Sequence, residues 1–280
     1  MTDGPSGASV KTTRTSLDIL QIIRREKGAD LNGIADELNK ATSTVHRHLR
    51  TLQRAGFVTR YGETFHLGLK FLDFGEYVRS QWPLQAIEDA VSQLNDETGE
   101  EVDFLTEDRG RVITIGKSYR KYHRMVRYSD SGDGGDPKRR RSQVGNYYHM
   151  HVTGAGKAIL AEYPDRKVER IIDQWGLPAR TENTLTSETE FFAELEQIRE
   201  RGYAISDGEY AEGLRSVAKV VENPNGGVFG ALNVAGPTYR MNGVVLEREI
   251  PNALEEASEA LEEAIVDRSS VVERQPLGST

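Results

Sequence analysis

The chain of 280 residues has no cysteine, so disulfide bonds and thiol chemistry are excluded. It also has no run of about 18 apolar residues, the length that a membrane-spanning helix requires. The opening sequence MTDGPSGASVKTTRTS lacks the apolar core of a signal peptide. We therefore expect a soluble, cytoplasmic protein that makes no contact with a membrane.

The sequence also lacks a set of residues typical of a catalytic site. No serine lies in a Gly-x-Ser-x-Gly context, and no Ser/His/Asp constellation can be argued. Gly226 and Gly227 precede a predicted strand rather than a helix, which favours a hairpin turn over a phosphate loop. His149 and His151 could suggest a metal site, but no third ligand accompanies them, so packing roles are favoured. We expect no enzyme activity, no metal and no cofactor.

Positive charge is scarce in most of the chain. The protein carries a formal net charge of −8, yet residues 1–80 hold 12 Lys and Arg against 9 Asp and Glu. Residues 81–280 hold the remaining 24 basic and 35 acidic residues, so the two parts carry +3 and −11. A uniformly acidic protein would bind nucleic acid poorly. The division therefore places any nucleic-acid contact in the first 80 residues.

Residues 31–67 have the pattern of two helices followed by a small hairpin. In the first helix the apolar residues form one stripe: Leu31, Ile34, Ala35 and Leu38. The stripe is interrupted at Asn39 and Lys40. Thr42 or Ser43 can then cap the second helix, because a side-chain oxygen can accept from a free amide of the first turn.

The second helix separates an apolar face from a basic face. Three apolar residues at helical spacing should face inward: Val45, Leu49 and Leu52. A different face carries one hydroxyl and three arginines: Ser43, Arg47, Arg50 and Arg54. Arginine can bind phosphate or the edge of guanine, and the start of a helix can reach base edges. This face is therefore suited to the DNA major groove.

Strands at 57–60 and 64–67 around Gly62 complete the pattern of a winged helix-turn-helix. Arg60 and His66 of this hairpin are available to phosphate groups. We predict DNA contacts from eight residues: Thr42, Ser43, Thr44, His46, Arg47, Arg50, Arg54 and Arg60. The alternative is a solvated basic helix in an ordinary small helical domain.

The rest of the chain predicts an α+β domain. Helices are expected at 14–25, 84–97, 154–162, 165–174, 187–201 and 246–267. Strands are expected at 100–106, 110–117, 122–128, 203–206, 213–222 and 228–236. Strands mixed with segregated helices favour an antiparallel sheet. The predicted segments are a disordered tail at 1–12, the winged domain at 13–68, a linker helix at 69–83, the α+β domain at 84–267 and a disordered tail at 268–280.

Several motifs resemble IclR-type transcriptional regulators. The IADEL helix, STVHRHLRTLQRAGFV and a hairpin ending in HLGLKFLDFGE are similar to the N-terminal domain of that family. HVTGAGKAILA, QIRERGYAISDGEYAEGLRSV and GGVFGALNVAG are similar to segments of its C-terminal domain. The resemblance covers about residues 13–266 in the order of the family. It implies a winged helix-turn-helix, a linker helix and a GAF/profilin-like effector-binding domain.

The composition adds a hint about the branch of the family. Low lysine, no cysteine and an acidic surface resemble proteins of salt-loving archaea, where this family also occurs. High salt would screen phosphate contacts strongly. Such a protein would need to recognise its operator through DNA shape and base edges more than through phosphate contacts.

The resemblance also implies a ligand cleft, because family members bind small carboxylates or aromatic acids beside the GAGK helix. Carried onto this chain, the lining is Met125, Gly154, Ala155, Ser206 or Asp207, Ser216, Asn233 and Ala235. Free amides at a helix start favour an anion, and positions 233 and 235 alternate onto one face of a strand. Many members carry Cys at Ser216 and several carry Asp at Ser206, which alters the hydrogen bonding. The alternative is that these residues simply line an ordinary core.

These patterns predict a ligand-responsive transcription factor. Its expected partners are operator DNA, an organic acid or sugar-derived metabolite, and further copies of itself in a homodimer or tetramer. The linker helix and the first helix are the expected dimer contacts. The alternative is a small-molecule sensor or enzyme-like domain whose winged domain mediates protein contacts. For the loop at 129–144, with Lys138 and three arginines, a mobile solvated insertion is favoured over a second DNA contact.

Overall fold

The computed structural model describes residues 10–118 and 144–266. The chain forms two compact units that divide between Trp82 and Pro83. No helix of the described residues is long and apolar enough to cross a membrane.

Some sequence expectations lie outside the described residues. These are Met125 of the expected cleft, the strand at 122–128, the basic loop up to residue 143, and most of the two tails.

The first unit is a winged helix-turn-helix, as predicted. Its elements are α1 (Lys11–Arg25), β1 (Ala29–Asp30), α2 (Leu31–Glu37), α3 (Thr42–Arg54), β2 (Val58–Tyr61), β3 (Thr64–Leu67) and α4 (Lys70–Ser80). The strands form an antiparallel sheet in the order β1-β3-β2. The strand β1 was not predicted, because a strand of two residues is too short to show a periodic pattern; it is defined by the pairing of Ala29 with Phe65 and of Asp30 with Thr64.

The core of the first unit follows the predicted apolar stripes. Residues from α1, α2, α3 and the hairpin are buried together: Ile19, Ile22, Ile23, Ile34, Ala35, Val45, Leu49, Leu52, Val58 and Phe65. Ile19, Ile22 and Ile23 form the buried face of α1, whereas the side chain of Leu17 is 56% exposed.

The start of α3 also differs from the expectation. Ala41 occupies the capping position, and no side chain accepts a hydrogen bond from the first turn. The prediction that Thr42 or Ser43 caps the helix is therefore wrong. Both residues lie inside the first turn and are exposed. Their hydroxyl groups remain available to an external partner.

The second unit is an α+β domain around one curled antiparallel sheet. Its helices are α5 (Leu84–Thr98), α6 (Gly154–Ala161), α7 (Asp165–Trp175), α8 (Glu188–Arg201) and α9 (Ile250–Val266). Its strands are β4 (Glu101–Asp108), β5 (Arg111–Ser118), β6 (Tyr147–His149), β7 (Ala204–Asp207), β8 (Leu214–Glu222) and β9 (Val228–Pro237). Short 3₁₀ and π helices, Met150–Val152 and Val245–Glu249, precede α6 and α9.

The described strands of the second sheet have the order β6-β5-β4-β9-β8-β7. Helices α5 and α9 pack on one face, and α6 packs on β8 and β9 from the other. The α6 side has its own core, which includes Ala155, Ile159, Phe191 and Ala218. The sheet therefore places the start of α6 directly over the central strands.

Candidate functional site

The basic face of α3 is exposed and carries unpaired cations. At 100° per residue, Ser43, Arg47, Arg50 and Arg54 lie within about 60° of one another around the helix axis. All four are exposed, whereas Val45 and Leu49 on the opposite side are fully buried. Among the described residues, no carboxylate pairs with any of these three guanidinium groups. They are free to bind phosphate or base edges.

The remaining predicted residues of α3 flank this face. Thr42 and His46 are exposed and Thr44 is half-buried. His48, for which we predicted no role, connects α3 to α1 through a hydrogen bond of 2.8 Å between its Nδ1 and Ser16 Oγ. A second histidine two residues after His46 is the sequence signal that could have suggested this contact.

Arg60 of the wing is less available than predicted. Its guanidinium donates to Glu63 at 2.7 Å and to the Gly62 carbonyl at 2.7 Å. The same group lies 5.4 Å from the centre of the Phe65 ring. An incoming phosphate would have to compete with Glu63 for this arginine.

The start of α6 offers backbone amides beside the sheet. Thr153 Oγ1 accepts from the Gly156 amide at 3.0 Å, which caps the helix. Among the described residues, the amides of Gly154 and Ala155 have no acceptor. Gly156 is required here, since a Cβ atom on it would lie 2.2 Å from the Met150 carbonyl oxygen. Free amides at a helix start are a favourable place for an anion.

Strand register brings the predicted cleft residues to one face of the sheet. Ser206 pairs with Ser216, and Ser216 pairs with Ala235. Directly opposed residues point to the same side, and so do residues two apart, which adds Asn233 to this face. Ser206 Oγ donates to the Val152 carbonyl at 3.0 Å beside α6.

Asp207 does not belong to this face. Strand alternation turns it away from Ser206, and Arg215 binds its carboxylate through two nitrogens at 2.8 and 2.7 Å. Of the alternatives Ser206 and Asp207, the structure therefore places only Ser206 beside α6.

The expected cleft is closed. A Cβ atom on Gly154 would lie 2.9 Å from both Ser216 Oγ and Asn233 Oδ1, so α6 is in contact with the strands. Surface hollows of about 550 Å³ and 280 Å³ lie elsewhere, beside Tyr163 and between α8 and α9. A ligand at the start of α6 would have to separate the helix from the sheet.

A buried ion pair lies one turn further along α6. Lys157 Nζ is 2.6 Å from Glu209 Oε1 and 3.3 Å from Glu194 Oε1, and the lysine is 1% exposed. Burial raises the pKa of Glu209, while the charge of Lys157 opposes that shift. We did not predict this pair, although a single lysine in the otherwise apolar GAGKAILA helix was a visible signal.

The two histidines next to α6 have packing contacts. His151 is 3% exposed, and its Nε2 donates to the Pro178 carbonyl at 3.1 Å. Burial lowers the pKa of His151 to about 4. The His149 ring contacts Trp175 edge to face. Within residues 10–118 and 144–266, no three His, Asp or Glu side chains are grouped as a metal site would require.

Family comparisons agree with this arrangement. Residues 15–62 match the IclR helix-turn-helix domain, and residues 76–263 match the bacterial transcriptional regulator IclR C-terminal domain. The chain belongs to the IclR family. This IclR-family protein is therefore a DNA-binding transcriptional regulator whose C-terminal domain binds a small effector, which confirms the function and fold class predicted from the sequence.

Similarity extends over nearly the whole length of related regulators. The transcriptional repressor IclR of Escherichia coli is 29% identical over 241 residues, covering 85% of this chain and 84% of that protein. The HTH-type transcriptional regulator ArcR of Halobacterium salinarum is 25% identical over 261 residues, covering 90% and 93%. These relatives carry the names of regulators rather than of enzymes.

Solved structures share the fold of this regulator. An IclR homologue from Microbacterium hydrocarbonoxydans, complexed with 4-hydroxybenzoate, superposes with a TM-score of 0.71. The match covers 92% of this chain and all of that one, at 15% identity. Similarity at this level demonstrates a common fold.

Proposed function

We propose that the exposed face of α3 reads the operator of this regulator. The contacts come from the residues predicted from the sequence: Thr42, Ser43, Thr44, His46, Arg47, Arg50 and Arg54, with Arg60 on the wing. The unpaired guanidinium groups on one exposed helix face carry this proposal. Arg47 and Arg50 lie near the middle of α3, where a helix seated in the groove approaches bases and phosphates.

The effector of this regulator is a small organic acid or a sugar-derived metabolite bound at the start of α6. Support comes from the free amides of Gly154 and Ala155 and from the neutral polar side chains of Ser206, Ser216 and Asn233 around them. Ala235 is partly exposed and lies opposite Ser216 at the rim of the closed cleft. The complex of the Microbacterium homologue with 4-hydroxybenzoate supports an organic acid as the class of effector.

The protein acts as a homodimer, and a tetramer is the alternative assembly. A large apolar surface on and beside α4 supports dimerisation. Its side chains are between 51% and 81% exposed: Leu69, Leu72, Phe74, Tyr77 and Val78. Exposed apolar surface of this extent marks an interaction site, and a second winged domain would double the DNA contacts. Because its target is operator DNA, we assign the protein to the cytoplasm.

The competing proposal is a sensor whose winged domain contacts proteins. The double variant Arg47→Ala, Arg50→Ala separates the two proposals. DNA fragments selected from genomic DNA by the native protein serve as the probe, and affinity is measured across a salt series. The matched control is Arg166→Ala, Arg170→Ala on the exposed face of α7, which removes the same charge.

The recognition-face variant is expected to lose specific binding. Its remaining affinity should also depend less steeply on salt, by about two units in the log–log slope. The control variant should bind like the native protein. Unchanged affinity and salt slope in the Arg47 and Arg50 variant would refute the assignment of α3 as the recognition helix.

A further inference from the structure

Asn233 is a buried polar side chain without a partner for its acceptor. It lies on β9 and is 7% exposed. Among the described residues, no donor reaches Asn233 Oδ1, which is fully buried. A buried, unpaired acceptor costs free energy that a correctly placed donor restores. The side chain is thus prepared for a hydrogen-bond donor that the described part of the protein does not supply.

The position of Asn233 links it to the proposed anion site. Its Oδ1 and Ser216 Oγ are each 2.9 Å from the point where a Cβ atom of Gly154 would lie. The free amide of Gly154 belongs to the same residue. One small molecule that separates α6 from the sheet would therefore contact the helix start, the serine hydroxyl and the carboxamide together.

Charge around Asn233 orients such a molecule. Asp103 of β4 lies directly opposite Asn233 on the same face and is 4% exposed. Lys117 Nζ lies 3.7 Å from the Asp103 carboxylate and 2.5 Å from the Glu101 carboxylate. The start of α6, in contrast, carries the positive end of the helix dipole. A carboxylate belongs near α6, and a donor belongs near Asn233.

We propose that the effector is a hydroxy acid and that Asn233 is the residue that recognises its hydroxyl group. This inference rests on the proposed acid site at α6 and names the class of acid. A hydroxyl donates to Oδ1 and can also accept from Nδ2, so it satisfies the carboxamide in either orientation. A carbonyl or a methyl group in that place supplies no donor and leaves Oδ1 unpaired.

Matched pairs of acids that differ by one hydroxyl test the proposal. The probes are glycolate with acetate, lactate with propionate, and 4-hydroxybenzoate with benzoate. Binding to the full-length protein is measured by calorimetry, for the native chain and for Asn233→Ala. Asn233→Leu serves as a second variant, with the same number of side-chain heavy atoms and no polar group, and Asn252→Ala on the exposed face of α9 is the control.

In at least one pair, the hydroxy acid should bind the native protein about tenfold or more tightly than its partner. Either Asn233 variant should reduce that ratio to about threefold or less by weakening the hydroxy acid alone. The control should keep the native ratio. Equal binding of both members of every pair, or a ratio that survives both Asn233 variants, would overturn the role of Asn233. Failure of all six acids to bind would instead contradict the acid site itself, and this inference with it.

Discussion

Lys157 of α6 and Glu209 after β7 form a buried ion pair, with Nζ 2.6 Å from Oε1. The side chains are 1% and 8% exposed. Glu209 Oε1 also accepts from the Asp207 amide at 3.3 Å, at the end of the strand that carries Ser206. The pair therefore connects the helix and the strand that both border the proposed effector cleft.

Removal of Lys157 alone should strongly destabilise the second unit. Lys157→Met leaves a buried carboxylate without its cation, and such a change costs about 3–5 kcal/mol in the free energy of unfolding. Adding Glu209→Gln removes the uncompensated charge and should restore most of the loss. Urea unfolding measures both effects. Lys219→Met is the control, since that lysine is 21% exposed and its partner Glu255 is 54% exposed.

The loss in Lys157→Met should shrink as the pH falls. Burial already raises the pKa of Glu209 in the native protein, and loss of the lysine removes the charge that opposes this shift. A carboxyl with a raised folded-state pKa favours folding at low pH and loses that contribution as pH rises through the pKa. If Lys157→Met lowers the free energy of unfolding by the same amount at pH 5 and at pH 7.5, Glu209 is not an ionised, unpaired carboxylate in this variant.

Gly154 and Gly156 should respond differently to alanine. In Gly156→Ala the new Cβ atom meets backbone, 2.2 Å from the Met150 carbonyl oxygen, so the protein should lose about 1–3 kcal/mol or more. In Gly154→Ala it meets the ends of Ser216 and Asn233 at 2.9 Å, which can shift. We expect Gly154→Ala to keep DNA binding and to lose effector binding. Thermal unfolding and calorimetry with the acid probes distinguish these outcomes, and retained effector binding in Gly154→Ala would count against the α6 site.

The winged domain could be predicted from the sequence because its signals are local. The spacing of Val45, Leu49 and Leu52 defines the buried side of α3, and this side alone fixes where the arginines point. The cap at Ala41 was missed, since a helix can begin without a side-chain partner and the sequence merely offered Thr42 and Ser43. Local patterns therefore predicted the elements and faces but not their exact ends.

The cleft could be predicted only in part because its geometry depends on distant residues. Ser206 and Asp207 are neighbours in a strand, so one must face α6 and the other must not. The pairing of Asp207 with Arg215 decides between them, and that pairing follows from the register of β7 and β8. Contact of Gly154 with Asn233, 79 positions later in the chain, has no local signature.

Glu63 should weaken DNA binding because its carboxylate forms an ion pair with Arg60 and so competes with a DNA phosphate. Glu63→Gln removes a wing carboxylate that lies 2.7 Å from the arginine. We expect affinity for operator DNA to rise a few-fold and the salt dependence to steepen by up to about one unit, because Arg60 can then pair with a phosphate. Glu76→Gln on α4 makes the same change of charge at an exposed site and is the control. An equal gain in both variants would show that net charge, rather than release of Arg60, is responsible.

His151 should make the protein lose stability in mild acid. Its folded-state pKa is about 4, lowered first by burial, whereas the unfolded side chain titrates near 6.5. A histidine with a lowered pKa contributes fully to stability above 6.5. That contribution declines as pH falls toward 4, because only the unfolded state takes up the proton. The shift corresponds to about 3 kcal/mol.

Urea unfolding between pH 4.5 and 7.5 should show the free energy of unfolding of the native protein falling as the pH falls. His151→Gln should flatten this dependence on pH. His46→Gln, on the exposed face of α3, should retain the native slope. Parallel profiles for the native protein and His151→Gln would mean that this buried imidazole does not control stability in acid.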